Sequence, residues 1–284
     1  MTPEDDIERS LAEAAALGDE ERWEEASAVL AGAADRHPDD ATLLGWQGAA
    51  ARARGAHGEA YDFFRRCLLL EPADPALLAL AGEGLAAMDD PEAESTLRLA
   101  ALTGPNVVVA RLAYGRYLTR EGMLDEAIRE LSAARDLDPG DAATTGLLAA
   151  AYLRAGRPEE AVATWEQGPG AAGDQAASRA LYGLALLEAD RLTDTAEELH
   201  LASLEAPEDA GLQLLTALAC ATQEWEDQAD EALLRAEHFS AGADAALLHE
   251  VAEAVAAGPD AARSFLHDEL APVELRERLR RFPD

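Results

Sequence analysis

The sequence predicts an all-α protein assembled from repeated helical hairpins, and three observations carry that prediction. First, 49% of the 284 residues are hydrophobic but only 5% are aromatic. The apolar content is therefore mostly Ala and Leu, strong helix formers, while the strand-favouring Ile and Val are scarce. Second, Pro38, Pro72, Pro105 and Pro139 follow one another at 34, 33 and 34 residues, and Gly173 and Pro207 continue in 34-residue steps. Third, ahead of each mark stands a small residue with a larger residue four positions on: Ala26/Leu30, Ala60/Phe64, Ala93/Leu97, Ala127/Leu131, Ala161/Trp165, Thr195/Leu199 and Ala229/Leu233. A further small residue completes each set, at Ala33, Cys67, Ala100, Ala134, Gly168, Ala202 and Ala236. Residues spaced four and then three apart share one helix face, so each set marks a helix that nests closely on a neighbour.

Taken in order, the units span about 7–40, 41–74, 75–107, 108–141, 142–175, 176–209 and 210–243, with a degenerate eighth repeat and a cap over 244–284, all in one solenoid. The fourth unit is the clearest. Its first helix carries Tyr114, Gly115 and Leu118, Gly122 marks the turn, and Ala127, Leu131 and Ala134 face inward from the second helix. Gly48, Gly82 and Gly183 occupy the slot of Gly115, where a small residue lets two helices approach. Pro139 then stops the helix, having no N–H to continue the ladder.

Departures from the pattern are specific. The third unit is one residue short around Met88–Pro91, and the seventh lacks both turn glycine and closing proline. The fifth ends in Gly168-Pro169-Gly170-Ala171-Ala172-Gly173, which truncates its second helix and reads as a flexible joint. No Gly-Lys-Ser/Thr follows it, so it is not a phosphate loop. Beyond Asp244 the pattern gives a helix to about Ala257, a break at Gly258-Pro259, a helix to about Leu270 and a last one from Pro272. In that last helix Leu275, Leu279 and Phe282 form one apolar stripe, and Arg276, Arg278, Arg280 and Arg281 fill the other faces. A solenoid needs a solubilising end, so this helix reads as the cap.

In its 34-residue helix–turn–helix unit closed near a proline, the chain resembles the tetratricopeptide repeat family over about residues 7–241. The resemblance implies a right-handed superhelix of seven or eight hairpins whose first helices line an inner groove. It also implies a protein-binding role, though repeats of this type hold many unrelated partners. Members that grip a terminal carboxylate use Lys and Asn, and this chain has no Lys and a single Asn, Asn106. That carboxylate-clamp role is not carried over.

Charge narrows the partner class. The formal net charge is −33, so nucleic acid and anionic membrane surfaces are excluded as general partners by repulsion. No apolar run approaches the ~18 residues of a membrane span. MTPEDDIERS has neither the basic nor the apolar region of a secretion signal. Cys67 and Cys220 are isolated in helical patterns, which suits small buried residues in a reducing compartment. A cytoplasmic location is therefore expected.

Catalytic constellations are missing. His249-Glu250 would need a second His at position 253, which is Glu253, and no Gly-x-Ser-x-Gly occurs. No metal or cofactor is expected. The expected function is a non-enzymatic interaction scaffold or assembly factor that holds an apolar or amphipathic protein segment. Two alternatives stand beside it: a self-assembling solenoid that oligomerises through its end repeats or an exposed Phe63, and a regulatory peptide-binding protein.

Residues two, five, nine and twelve of each repeat fall on one face of the first helix. The expected contacts are Ala49, Arg52, Leu112, Arg116, Leu184 and Leu218 on that face, with Trp46, Arg120 and Arg154 adjacent to it. The central arginines suit a carboxylate or phosphate, or pair with neighbouring acids. Trp46 reads either as a binding anchor or as helix–helix packing. Trp23, Trp165 and Trp225 fall at packing positions.

Overall fold

The computed structural model describes residues 2–169, 176–240 and 245–282, and every regular element among them is helical. Seven hairpins follow the predicted order: α1 (Pro3–Asp19) with α2 (Trp23–Arg36), α3 (Ala41–Ala53) with α4 (His57–Leu69), α5 (Pro75–Ala86) with α6 (Ala93–Thr103), and α7 (Val108–Arg120) with α8 (Leu124–Leu137). Then come α9 (Ala142–Arg154) with α10 (Pro158–Gln167), α11 (Ala176–Glu188) with α12 (Leu192–Glu205), and α13 (Ala210–Thr222) with α14 (Glu226–Phe239). The chain ends in α15 (Ala245–Ala257), α16 (Pro259–Phe265), a π turn (Leu266–Leu270) and α17 (Ala271–Arg281). The chain forms two compact units, Met1–Leu137 and Asp138–Asp284. Asp244 and the Gly170–Gly173 part of the expected joint lie outside the described residues.

The hairpin is set by backbone chemistry that recurs with the repeat. Asp40, Asp74, Asp141 and Asp209 cap α3, α5, α9 and α13, accepting hydrogen bonds from the backbone N–H of Leu43, Ala76, Thr144 and Leu212 at 2.8–2.9 Å. Each first helix then closes through a left-handed residue. Positive φ occurs at Glu21, Gly55, Asp89, Gly122, Gly156, Asp190 and Glu224, in steps of 33 or 34 residues. The residue after each donates back five positions, as in Ala56 N–H to Ala51 C=O at 2.9 Å and Trp225 N–H to Cys220 C=O at 3.0 Å. This is the closure that glycine favours at a helix C-terminus. Where the glycine is absent, as at Glu224 in the seventh repeat, the same turn forms with a carboxylate residue.

α1 starts at Pro3, four residues before the expected start at 7. Thr2 and Asp5 explain the difference: the Asp5 N–H donates to Thr2 Oγ1 at 3.1 Å, and the Thr2 N–H donates to the Asp5 carboxylate at 2.8 Å. This reciprocal box satisfies two otherwise unpaired donors.

The repeat slots are the core. Ala26, Leu30, Phe64, Leu97, Leu131, Trp165 and Leu199 are almost fully buried. The glycine slots do what their spacing predicts. A Cβ on Gly48 would meet Phe64 at 2.6 Å, one on Gly82 would meet Leu97 at 2.7 Å, and one on Gly115 would meet Leu131 at 2.6 Å. Phe64 sits between α3 and α5, with Gly84 on its other side.

Two placements differ from expectation. Phe63 is not a free convex contact: it is half-buried against the Phe64 and Leu44 clusters, and the Arg66 guanidinium lies 5.8 Å from its ring centre. α17 does not close the end of the array. It packs most closely on α11, and Leu279 and Phe282 join the core of α9, α10 and α11.

Candidate protein-binding faces

In the unit Met1–Leu137 the first helices α1, α3, α5 and α7 lie side by side. Trp46, Ala49 and Arg52 stand three residues apart, so α3 points all three the same way. They border a cleft of about 510 Å³ whose other walls are Ala14, Ala15 and Gly18 of α1 and Trp23, Ala26 and Leu30 around α2. Trp46 is 37% exposed there, although it is surrounded by small apolar residues. The guanidinium of Arg52, also at the cleft, makes no ion pair or hydrogen bond with the described residues.

The other arginines of this face are engaged. Arg116 on α7 pairs with Glu83 on α5 at 3.1 Å, and these two residues hold the same slot of adjacent repeats. Arg120 pairs with Glu121 at 3.2 Å and lies 5.5 Å from the Tyr117 ring centre. Leu112, four residues before Arg116 on α7, is half-buried. The sequence left open whether these arginines serve a ligand or pair internally, and Arg116 and Arg120 both have internal partners. Exposed pairs of this kind contribute only about 0–1 kcal/mol, so a ligand carboxylate can compete for them.

In the unit Asp138–Asp284 the corresponding face belongs to α9, α11 and α13, and the chain's own C-terminus covers it. Leu184 and Leu218 are 1% and 0% exposed, packed in a cluster that includes Leu266, Leu270, Ala271 and Leu275. Arg154 donates to the Leu279 carbonyl oxygen of α17. Burial lowers the Arg154 pKa without removing its charge. The partner surface expected at Arg154, Leu184 and Leu218 is therefore occupied from within.

Arg278 and Asp209 hold α17 in place; the sequence named Arg278 only as one of four arginines on the last helix and did not single out Asp209. Arg278 donates to both carboxylate oxygens of Asp209, at 2.9 and 3.1 Å, and pairs with Glu274 at 3.0 Å. Burial pushes the Asp209 pKa up, but the Arg278 hydrogen bonds and charge outweigh it, and the net shift is down. Both cysteines are buried thiols, pushed up to about 11 at Cys67 and about 12 at Cys220 by desolvation. Among the described residues no group of three His, Cys, Asp or Glu is placed to hold a metal ion, and no helix is long and apolar enough to cross a membrane.

Comparison with known proteins agrees with this geometry. The tetratricopeptide repeat family model matches residues 118–185. No curated protein sequence matches the chain significantly. Among solved structures, PilF of Pseudomonas aeruginosa is similar with a TM-score of 0.63 at 18% identity, over 75% of this chain and 96% of that one. The C-terminal part of a TPR repeat-containing protein from Cytophaga hutchinsonii gives 0.58 at 14% identity, over 83% and 97%. MamA from Desulfovibrio magneticus RS-1 gives 0.52 at 20% identity, over 61% and 98%. At these identities the likeness is one of fold. The family match over residues 118–185 and these structural neighbours show that the chain has the fold of a tetratricopeptide repeat array, built from 34-residue hairpins.

Proposed function

We propose that the protein is a non-catalytic interaction scaffold whose binding surface is the first-helix face of the unit Met1–Leu137, centred on Trp46 and Arg52. The tetratricopeptide fold is that of protein-interaction scaffolds. The single observation that carries the finer reading is the exposed Trp46, beside an unengaged Arg52, at a cleft of about 510 Å³. An indole left partly in water beside apolar walls loses hydration cost when covered, and such aromatics dominate interface energetics. The occupant that fits is a protein segment offering one apolar side chain to the cleft and a carboxylate to Arg52. Leu112 and the Arg116 and Arg120 side chains extend the same surface along α7.

The test compares co-purified proteins from native extract using wild type, Trp46→Ala and Arg52→Glu. Specific partners of wild type are expected to be lost from both variants while helix content and melting stay unchanged. An identical partner set on folded variants would remove this face from consideration.

A further inference from the structure

The α9–α11–α13 face has a resident ligand, and its contacts resemble helix-in-groove recognition more closely than the end of a solenoid. α17 presents Leu275, Leu279 and Phe282 at i, i+4 and i+7, the anchor spacing of an amphipathic helix in a groove. Leu279 is 7% exposed among Ala149, Ala150, Leu153 and Leu181. The face is shaped for what lies on it: a Cβ on Gly146 would stand 3.0 Å from Phe282 Cζ, and one on Gly211 would stand 2.5 Å from Glu274 Oε1.

The occupant is also chemically distinct from the rest of the chain. Four of the 23 basic residues fall between Arg276 and Arg281, in a protein of net charge −33. Opposite charge favours such a segment on this surface. Arg278 reads the face through Asp209, which also caps α13.

Three features make the occupant removable. The Arg278 Nε is buried without a hydrogen-bond partner, so the central polar contact is incompletely satisfied. A cleft of about 560 Å³, bordered by Leu153, Glu188, Leu275 and Arg276, runs beside α17. The attachment is a π turn, Leu266–Leu270, followed by Pro272, which has no N–H to donate. π turns and proline are the recurrent points where a helix bends. α16, before that point, packs on α13 and α15 and stays with the body of the unit.

We propose that the α9–α11–α13 face is a second docking site, for a short basic amphipathic helix of a partner, and that α17 occupies it in cis until such a helix displaces it. The partner helix carries large apolar residues at i, i+4 and i+7 and an arginine directly before the second. The site is separate from the Trp46 face, so either one stands or falls without the other.

The probe is a fluorescein-labelled peptide of residues 271–282, titrated by anisotropy into full-length wild type and into the full-length double variant Arg278→Glu/Leu279→Ala. Weakening the resident helix vacates the face. An occupied site shows apparent affinity reduced by its vacant fraction, so the variant is expected to bind about ten-fold or more tightly than wild type. The same peptide with its arginine equivalent to Arg278 changed to Glu is expected not to bind. A natively folded variant that binds the peptide no better than wild type would overturn the proposal. If the variant does not fold, hydrogen exchange on wild type decides. α17 amides are expected to exchange at least ten-fold faster than those of α13, and equal protection would make α17 part of the cooperative core and sink the idea.

Discussion

Replacing Gly84 with alanine probes the contact that lets the first helices stack and so builds the Trp46 face. Gly84 lies in α5, and a Cβ there would stand 2.0 Å from Cδ2 and 2.2 Å from Cε2 of Phe64. Phe64 is fully buried against Ala51, Ala60 and Ala81, so its ring has no solvent side to retreat into. Alanine is favoured over glycine within a helix by about 1 kcal/mol. Forcing extra volume into a packed core costs about 1–3 kcal/mol, and so short an approach belongs at the upper end. The net effect is a destabilisation of about 1–2 kcal/mol. Gly32→Ala is the matched control in the same unit. In α2 the nearest atom to a new Cβ there is Arg36 Nη1 at 3.8 Å, an ordinary contact, so propensity acts alone. That substitution should stabilise by about 0.5–1 kcal/mol. Urea unfolding followed by far-ultraviolet circular dichroism, compared at equal slope, reads both. If Gly84→Ala is as stable as Gly32→Ala, the stacking does not depend on the glycine contact.

Three further expectations follow from single observations. Glu224→Gly should stabilise the protein by about 0.5–1 kcal/mol, because Glu224 holds φ 60° in the turn slot where other repeats use glycine; a loss in melting temperature would contradict it. Cys67 and Cys220 should resist iodoacetamide at pH 8 in the native protein and react once it is unfolded in urea, since burial keeps both thiols protonated; rapid native labelling at either would refute their placement. Docking of α17 should weaken in acid. Asp209 is depressed below the unfolded carboxylate value of about 3.9, so its contribution is complete above that value and is lost as pH falls through the folded pKa. The groups facing Asp209 there are Arg278 and Arg281, with Glu274 beside Arg278, so amide protection of α17 should fall below about pH 4, and unchanged protection at pH 3 would contradict the role of the ion pair.

The hairpins were legible because their causes are local and periodic. Every small/large pair from Ala26/Leu30 to Thr195/Leu199 is buried as its spacing predicts, and in the seventh pair Leu233 is only partly so. The turn residues were half-legible. Glycine announces a left-handed slot, but Asp89, Asp190 and Glu224 adopt it without announcing it. The pairing of Arg116 with Glu83 was readable in principle, since both hold the ninth place of adjacent repeats. What sequence could not assign was the destination of α17. An amphipathic stripe states that a helix must cover something apolar, not which surface. The signal was present in two places: an unpartnered stripe at Leu275, Leu279 and Phe282, and a face of Leu184, Leu187, Leu214 and Leu218 too apolar to stay in water. Only the fold brings them together, and it removes Leu184 and Leu218 from the open surface while leaving Trp46 at 37% exposure.

Photo-cross-linking from position 46 addresses that open face most directly. Benzoylphenylalanine is placed at Trp46 in one full-length protein and, in another, at Leu102, a more accessible apolar position on the second helix α6. Irradiation in native extract should give discrete protein adducts from position 46 that Arg52→Glu abolishes, and none of those adducts from position 102. Adducts that arise equally from position 102, or that survive Arg52→Glu, would place the partner elsewhere.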